Sequence, residues 1–141
     1  MLVVDTNVLS ESDKPKPDQN VVRWFSRQNS SELYVTVTTI AEIAFGAERI
    51  FVRSSSVRYW DALNVLMRST FPDRILDFTV LAAVENGRVR AKREAAGKPI
   101  DLHDSQIAAI CLVHGATLAT RNTRDFDGLG QSEIAAIHLQ A

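Results

Sequence analysis

One cysteine in 141 residues, Cys111, leaves no partner for an intramolecular disulfide, and a reducing compartment is expected. Proline and glycine are sparse, at four and six residues, and no Pro-, Gly- or Ser-rich tract marks a linker. A single domain over 1–141 is therefore expected. No apolar run approaches the ~20 residues that a membrane-spanning helix needs. Met1-Leu2-Val3-Val4 enters its apolar stretch with no basic segment before it, so no secretion signal is read and a cytoplasmic location is expected. Charge of one sign is missing too: 16 basic against 17 acidic residues leave −1, which excludes an overall field that draws the chain to nucleic acid. There is no internal repeat and no low-complexity tract.

What is present is a globular composition, 45% hydrophobic and 23% charged. A chain of this length buries roughly two-thirds of its unfolded surface, enough for a core without covalent staples. The charge is unevenly spread. Residues 49–98 hold ten Lys and Arg against five acids, whereas each flanking segment carries a net −3.

Apolar β-branched runs alternate with helical patterns. Leu2-Val3-Val4 reads as a strand buried on both faces. Thr6 to Ser12 reads as a short helical turn ended by Lys14-Pro15-Lys16-Pro17, after which Asp18 caps a helix carrying Val21, Val22, Trp24 and Phe25. Leu33–Val37 is a second strand, and a helix opens at Thr39-Ile40-Ala41-Glu42. A further helix spans about 56–70 and stops before Pro72. Ile75–Phe78 is a third strand, followed by a long helix ending near Gly97-Lys98-Pro99. Asp101 caps a helix through His114-Gly115, Thr117–Thr120 is a fourth strand, and Ile134–Ile137 a possible fifth. This alternation implies an α/β fold, a three-layer α/β/α domain around a parallel sheet of four or five strands.

In such a sheet, sites form beyond the carboxyl ends of the strands. Asp5 directly follows the first strand. Glu42 lies in the first turn of the helix after the second, Asp104 in the first turn of the helix from Asp101, and Asp125 and Asp127 in the loop after the fourth strand. Each has a structural reading. Asp5 can cap the short helix. Thr39-x-x-Glu42 has the form of a capping box. Asp104 suits the helix dipole, and Asp125 and Asp127 suit a turn. Taken singly these readings suffice; convergence on one sheet edge is what they leave unexplained. Two carboxylates about 4 Å apart repel by ~4 kcal/mol at an effective dielectric of 20, so a cluster calls for a counter-ion. Oxygen-only donors, with no Cys/His set at zinc spacing, favour Mg²⁺ or Mn²⁺, and such an ion suits phosphodiester hydrolysis.

Four strings carry a resemblance. Val3-Val4-Asp5-Thr6-Asn7-Val8-Leu9-Ser10-Glu11, Thr39-Ile40-Ala41-Glu42-Ile43, Asp104-Ser105-Gln106-Ile107-Ala108-Ala109 and Leu118-Ala119-Thr120-Arg121-Asn122-Thr123-Arg124-Asp125-Phe126 resemble PIN domains, in order and in register from Met1 to about Gly130. Within them the chain is most similar to VapC toxins of the FitB-like branch. The resemblance implies a Mg²⁺- or Mn²⁺-dependent endoribonuclease, the toxin of a toxin–antitoxin pair, held by an antitoxin and forming a homodimer. DNA would be met only through the antitoxin complex. It implies Asp5 and Asp104 as principal metal ligands, Glu42 as a third acid, and Thr6 or Asn7 as the residue bracing Asp5. The chain departs from the pattern at the fourth acid. Many relatives carry Asp directly after Thr-Arg, where this chain has Asn122, and the acid follows three residues later as Asp125. Either one completes the catalytic set. By the same analogy, the helix at 18–29 and the one after it wall an antitoxin groove.

Arg121 and Arg124 flank the acids with no partner near in sequence and are candidates for substrate contact. Arg88-x-Arg90-x-Lys92-Arg93 either tracks phosphates or forms a solvated helix face pairing with Glu85 or Glu94. His103 adjoins Asp104, Cys111 reads as inert core, and Trp24 and Trp60 read as core or partner anchors. Two other functions compete. A phosphatase forming an aspartyl-phosphate on Asp5 usually has a second Asp two residues on, where this chain has Asn7. A degenerate fold that binds RNA or protein without cleaving it is compatible with Asn122, but three acids are retained.

Overall fold

A computed structural model describes residues 1–11, 13–121 and 126, with the backbone of 136–138. Its strands are β1 (Leu2–Val4), β2 (Leu33–Thr36), β3 (Ile75–Leu76), β4 (Thr117–Thr120) and β5 (Ala136–His138). They form one parallel sheet in the order β3-β2-β1-β4-β5. Its helices are α1 (Thr6–Glu11), α2 (Gln19–Arg27), α3 (Val37–Ser54), α4 (Arg58–Val65), α5 (Val80–Ala95) and α6 (Leu102–His114).

β1 sits at the centre, and successive side chains on a strand point to opposite faces. Val3 packs into a core with Ile107, Ile110, Cys111 and Leu118, while Val4 packs into a second with Val8, Val21, Leu33 and Val35. Both valines are fully buried, worth about 1.5–3 kcal/mol apiece. The short apolar run thus becomes the middle layer between two helical layers, as its composition implies.

The chain leaves β1 towards β2 and β3, then returns to place β4 on the other side of β1. The carboxyl ends of β1 and β4 therefore flank the switch point where such folds open a crevice. α6 is fixed at both ends. Asp101 accepts from the backbone N–H of His103 at 2.9 Å and of Asp104 at 3.4 Å. Gly115 closes it in the left-handed region at φ 58°, which a Cβ would strain.

Boundaries differ from the sequence reading in instructive places. α3 begins at Val37, and its cap is Thr36, whose side chain accepts from the Thr39 N–H. The last strand residue takes the capping role, so Thr39 does not start the helix and Glu42 is no capping-box partner. The helix expected over 56–70 is α4 continued by a π-helical turn, Leu66–Thr70, closed by the Phe71 N–H on the Leu66 carbonyl. β3 keeps only two residues of the four expected.

Candidate functional site

Asp5 follows β1 directly and is 3% exposed. Its carboxylate is held from two sides. The Thr6 N–H donates to Oδ1 at 2.7 Å, and the Thr120 hydroxyl, from the end of β4, donates to Oδ2 at 2.7 Å. The Asp5 N–H in turn donates to the Ala119 carbonyl at 2.9 Å, locking the backbone at the switch point. Of the two bracing candidates, Thr6 does the holding, through its backbone. Asn7 is exposed on α1.

Glu42 lies one turn further into α3 than a capping residue would. Its Oε1 accepts from the Thr6 hydroxyl at 2.9 Å. Thr6 therefore grips two acids with two different donors, and the local reading of Glu42 as a cap is replaced by a long-range contact. Oε2 of Glu42 stands 3.8 Å from Nδ1 of His103 in the first turn of α6, and the Thr38 hydroxyl donates to Gln106 Oε1 at 3.1 Å. These two contacts bring the start of α6, and with it partly buried Asp104, against the start of α3. Asp104 keeps the dipole-favoured position at its helix start.

The structure thus brings Asp5 and Glu42 together through Thr6 and places Asp104 on the adjoining turn. Asn122, Arg124, Asp125 and Asp127 lie outside the described residues. Among the described residues, no three His, Cys, Asp or Glu side chains close into a group that holds a metal ion. The donor chemistry still fits a hard cation. The acids supply oxygen alone, and a carboxylate oxygen that accepts one hydrogen bond retains a further lone pair.

Arg121 departs from expectation. Its guanidinium meets Glu11 at 3.0 Å and Asp18 at 2.9 Å, partners that are remote in sequence and therefore invisible to a local search. Glu11 is itself buried, pairs with Lys14 at 2.7 Å and accepts the Asp18 N–H at 3.0 Å. The bond from Lys14, then the Asp18 amide, and the charge of Arg121 hold its carboxyl below the usual glutamate value against the opposing effect of burial. Arg121 is thus a brace tying α1 to the α2 cap beside the end of β4. In the basic run, Arg88 pairs with Glu85 at 2.7 Å, and buried Arg93 donates through Nε to the Lys98 carbonyl at 2.7 Å.

A groove of about 520 Å³ runs away from Thr6 and Glu42 between α1, α3 and α4, floored by Leu9, Ile43, Ala47, Ile50, Leu63 and Leu66. α2 does not line it, because Val21 and Trp24 turn into the core. Trp60 donates its indole N–H to Glu48 at 3.1 Å, joining α4 to α3. The sequence gives Thr39 only a capping role and leaves Thr120 as an ordinary strand residue. A polar residue ending an apolar strand beside the strand of Asp5 was the available signal for Thr120.

With the geometry in place, comparison with known proteins gives the following. The sequence pattern of the PIN domain matches residues 2–130. The chain is 32% identical to the VapC ribonuclease Y4jK of Sinorhizobium fredii, over 92% of this chain and 93% of that one. It is 31% identical to the toxin FitB of Neisseria gonorrhoeae, over 89% and 91%. Its fold superposes on the structure of FitAB bound to an IR36 DNA fragment with a TM-score of 0.84, at 28% identity, covering 100% and 99% of the two chains.

Proposed function

The chain belongs to the PIN domain family, and from that premise we propose that it is a metal-dependent endoribonuclease acting as the toxin of a toxin–antitoxin pair. The observation that carries the reading is the pairing of Asp5 and Glu42 through Thr6 at the switch point, with Asp104 on the adjoining turn. Its relatives bear the names ribonuclease and toxin.

Asp5, Glu42 and Asp104 are the residues that would hold Mg²⁺ or Mn²⁺, with Asp125 or Asn122 completing the set. Such an ion would supply polarisation of the phosphoryl group and a water acidic enough to yield hydroxide, the nucleophile. The chain's own part is orientation. Thr6 and Thr120 fix the plane of the Asp5 carboxylate, and Thr6 fixes one oxygen of Glu42, leaving Oε2 towards α6. Preorganisation of this kind lowers the cost of gathering charge around the phosphate.

The apolar groove beginning at Thr6 and Glu42 supports an antitoxin partner, since a segment seated there reaches Glu42. Contact with DNA belongs to that complex, as in the FitAB structure. A homodimer forms part of the proposal. Among the described residues no helix is long and apolar enough to cross a membrane, and action on RNA places the work in the cytoplasm.

The test is cleavage of total RNA by purified, antitoxin-free protein with Mn²⁺, with EDTA, and as Asp104→Asn. Discrete fragments that require both metal and Asp104 are expected. Absence of cleavage by folded protein overturns the assignment in favour of a binding fold.

A further inference from the structure

Thr39 is fully buried in the first turn of α3, away from the cleft, yet its hydroxyl is aimed at the site. Its Oγ1 lies 2.9 Å from that of Thr6, and the Thr6 hydroxyl lies 2.9 Å from Glu42 Oε1. A helical threonine commonly bonds the carbonyl one turn back on its own helix; here the hydroxyl reaches a different element. We infer that Thr39 is a positioning residue for Glu42, acting through the hydroxyl of Thr6.

Direction follows from counting hydrogens. A carboxylate accepts and does not donate, and a hydroxyl has one hydrogen. The Thr6 hydrogen is committed to Glu42, so the Thr6–Thr39 bond must be donated by Thr39. Thr39 Oγ1 then accepts from the Thr36 hydroxyl at 3.4 Å, while Thr36 Oγ1 accepts the Thr39 N–H at 3.2 Å. The result is a one-way chain from Thr36 through Thr39 and Thr6 to Glu42, anchored in buried backbone at the start of α3. It fixes which oxygen of Glu42 is occupied and which faces α6.

The effect is selective. Asp5 is held by the Thr6 N–H, which does not depend on the hydroxyl. Loss of the Thr39 hydroxyl therefore loosens the orientation in which the Thr6 hydroxyl holds Glu42, and leaves Asp5 in place. This inference rests on the reading of Glu42 as a cation ligand.

The experiment is a Mn²⁺ titration of the full chain followed by melting temperature, which reads the metal midpoint without reference to catalysis. Thr39→Val keeps shape and removes the hydroxyl. Loss of a ligand's own hydrogen-bond partner, as in Thr6→Val, typically weakens metal binding about 10–100-fold; Thr39 acts one bond further away, and a smaller rise in the midpoint, about threefold or more, is expected. Thr39→Ser restores the hydroxyl and is expected to restore the midpoint. Thr6→Val breaks the same chain at a half-buried position, and serves if Thr39→Val does not fold. The double variant should weaken binding no more than Thr6→Val alone, because links in series do not add. Glu42→Gln separates the two claims. If Glu42→Gln raises the midpoint and Thr39→Val does not, or if the two threonine effects add, the positioning role is wrong. If Glu42→Gln itself leaves the midpoint unchanged, Glu42 is no ligand and the inference falls with that reading. A lower melting temperature of Thr39→Val without metal, with an unchanged midpoint, marks packing alone and also overturns it.

Discussion

Thr120 Oγ1 donates to Asp5 Oδ2 over 2.7 Å, so that residues 115 apart in sequence share a hydrogen bond at the ends of neighbouring strands. Thr120 is fully buried and Asp5 nearly so. Hydrogen bonds to charged groups contribute about 1.5–3 kcal/mol, and an abandoned buried acceptor bears its full desolvation cost. Thr120→Val, which preserves shape, should lower the unfolding free energy by that order, read as a lower urea midpoint at an unchanged slope. A change within the ~0.5 kcal/mol typical of surface substitutions would show that the bond does not hold the switch point.

Cys111 lies on α6 in the core with Val3 and Leu118 and is fully buried. Burial, and secondarily the charge of Asp5, push its thiol up to about 12. The thiolate is the reactive form, so folded protein at pH 8 should not react with an aromatic disulfide reagent, and denatured protein should release one equivalent per chain. Prompt reaction of the folded protein would mean that the α6 core opens readily.

The layers were legible because their signals are local. An apolar β-branched run announces β1, and Asp18 and Asp101 announce their helices. The place of Asp5 was legible because a strand end at the sheet centre is a position set by topology. Glu42, singled out through the PIN resemblance, does lie beside Thr6, but its bonding was misread. Thr36 and Thr39 are both threonines near the helix start, and only the backbone of β2 decides that Thr36 takes the cap. The partners of Arg121 were hidden for the opposite reason: Glu11 and Asp18 reach it through the fold. Thr120 escaped because threonine suits a strand for packing reasons alone and needs no function there.

Metal should stabilise the folded chain, because the ion finds its ligands assembled only there. Binding contributes roughly 2.7 kcal/mol when metal exceeds its Kd a hundredfold, on the order of 5–10 °C for a domain of this size. Melting with millimolar Mg²⁺ or Mn²⁺, against EDTA, should show that rise, and Asp104→Asn should diminish it. An identical melting temperature in all three conditions would count against a cation site.

The brace at Arg121 has a signature in pH. Glu11 has its carboxyl lowered below the ordinary 4.5 in the folded chain, so the folded state binds its proton less readily than the unfolded one. The stabilisation is then fully present above about pH 4.5 and is lost as pH falls through the lowered value. Glu11→Gln should therefore melt below the parent at pH 7, with the gap narrowing below pH 4.5. Arg121→Ala should follow the same course with a smaller gap, since Glu11 keeps Lys14 and the Asp18 amide. The Michaelis constant for RNA separates a brace from a substrate contact. A contact at the phosphate raises it at unchanged melting temperature, whereas a brace lowers the melting temperature and leaves the constant near the parent's. Because two carboxylates, Glu11 and Asp18, already offset the charge of the guanidinium, its pull on a phosphate is weakened and the second outcome is expected.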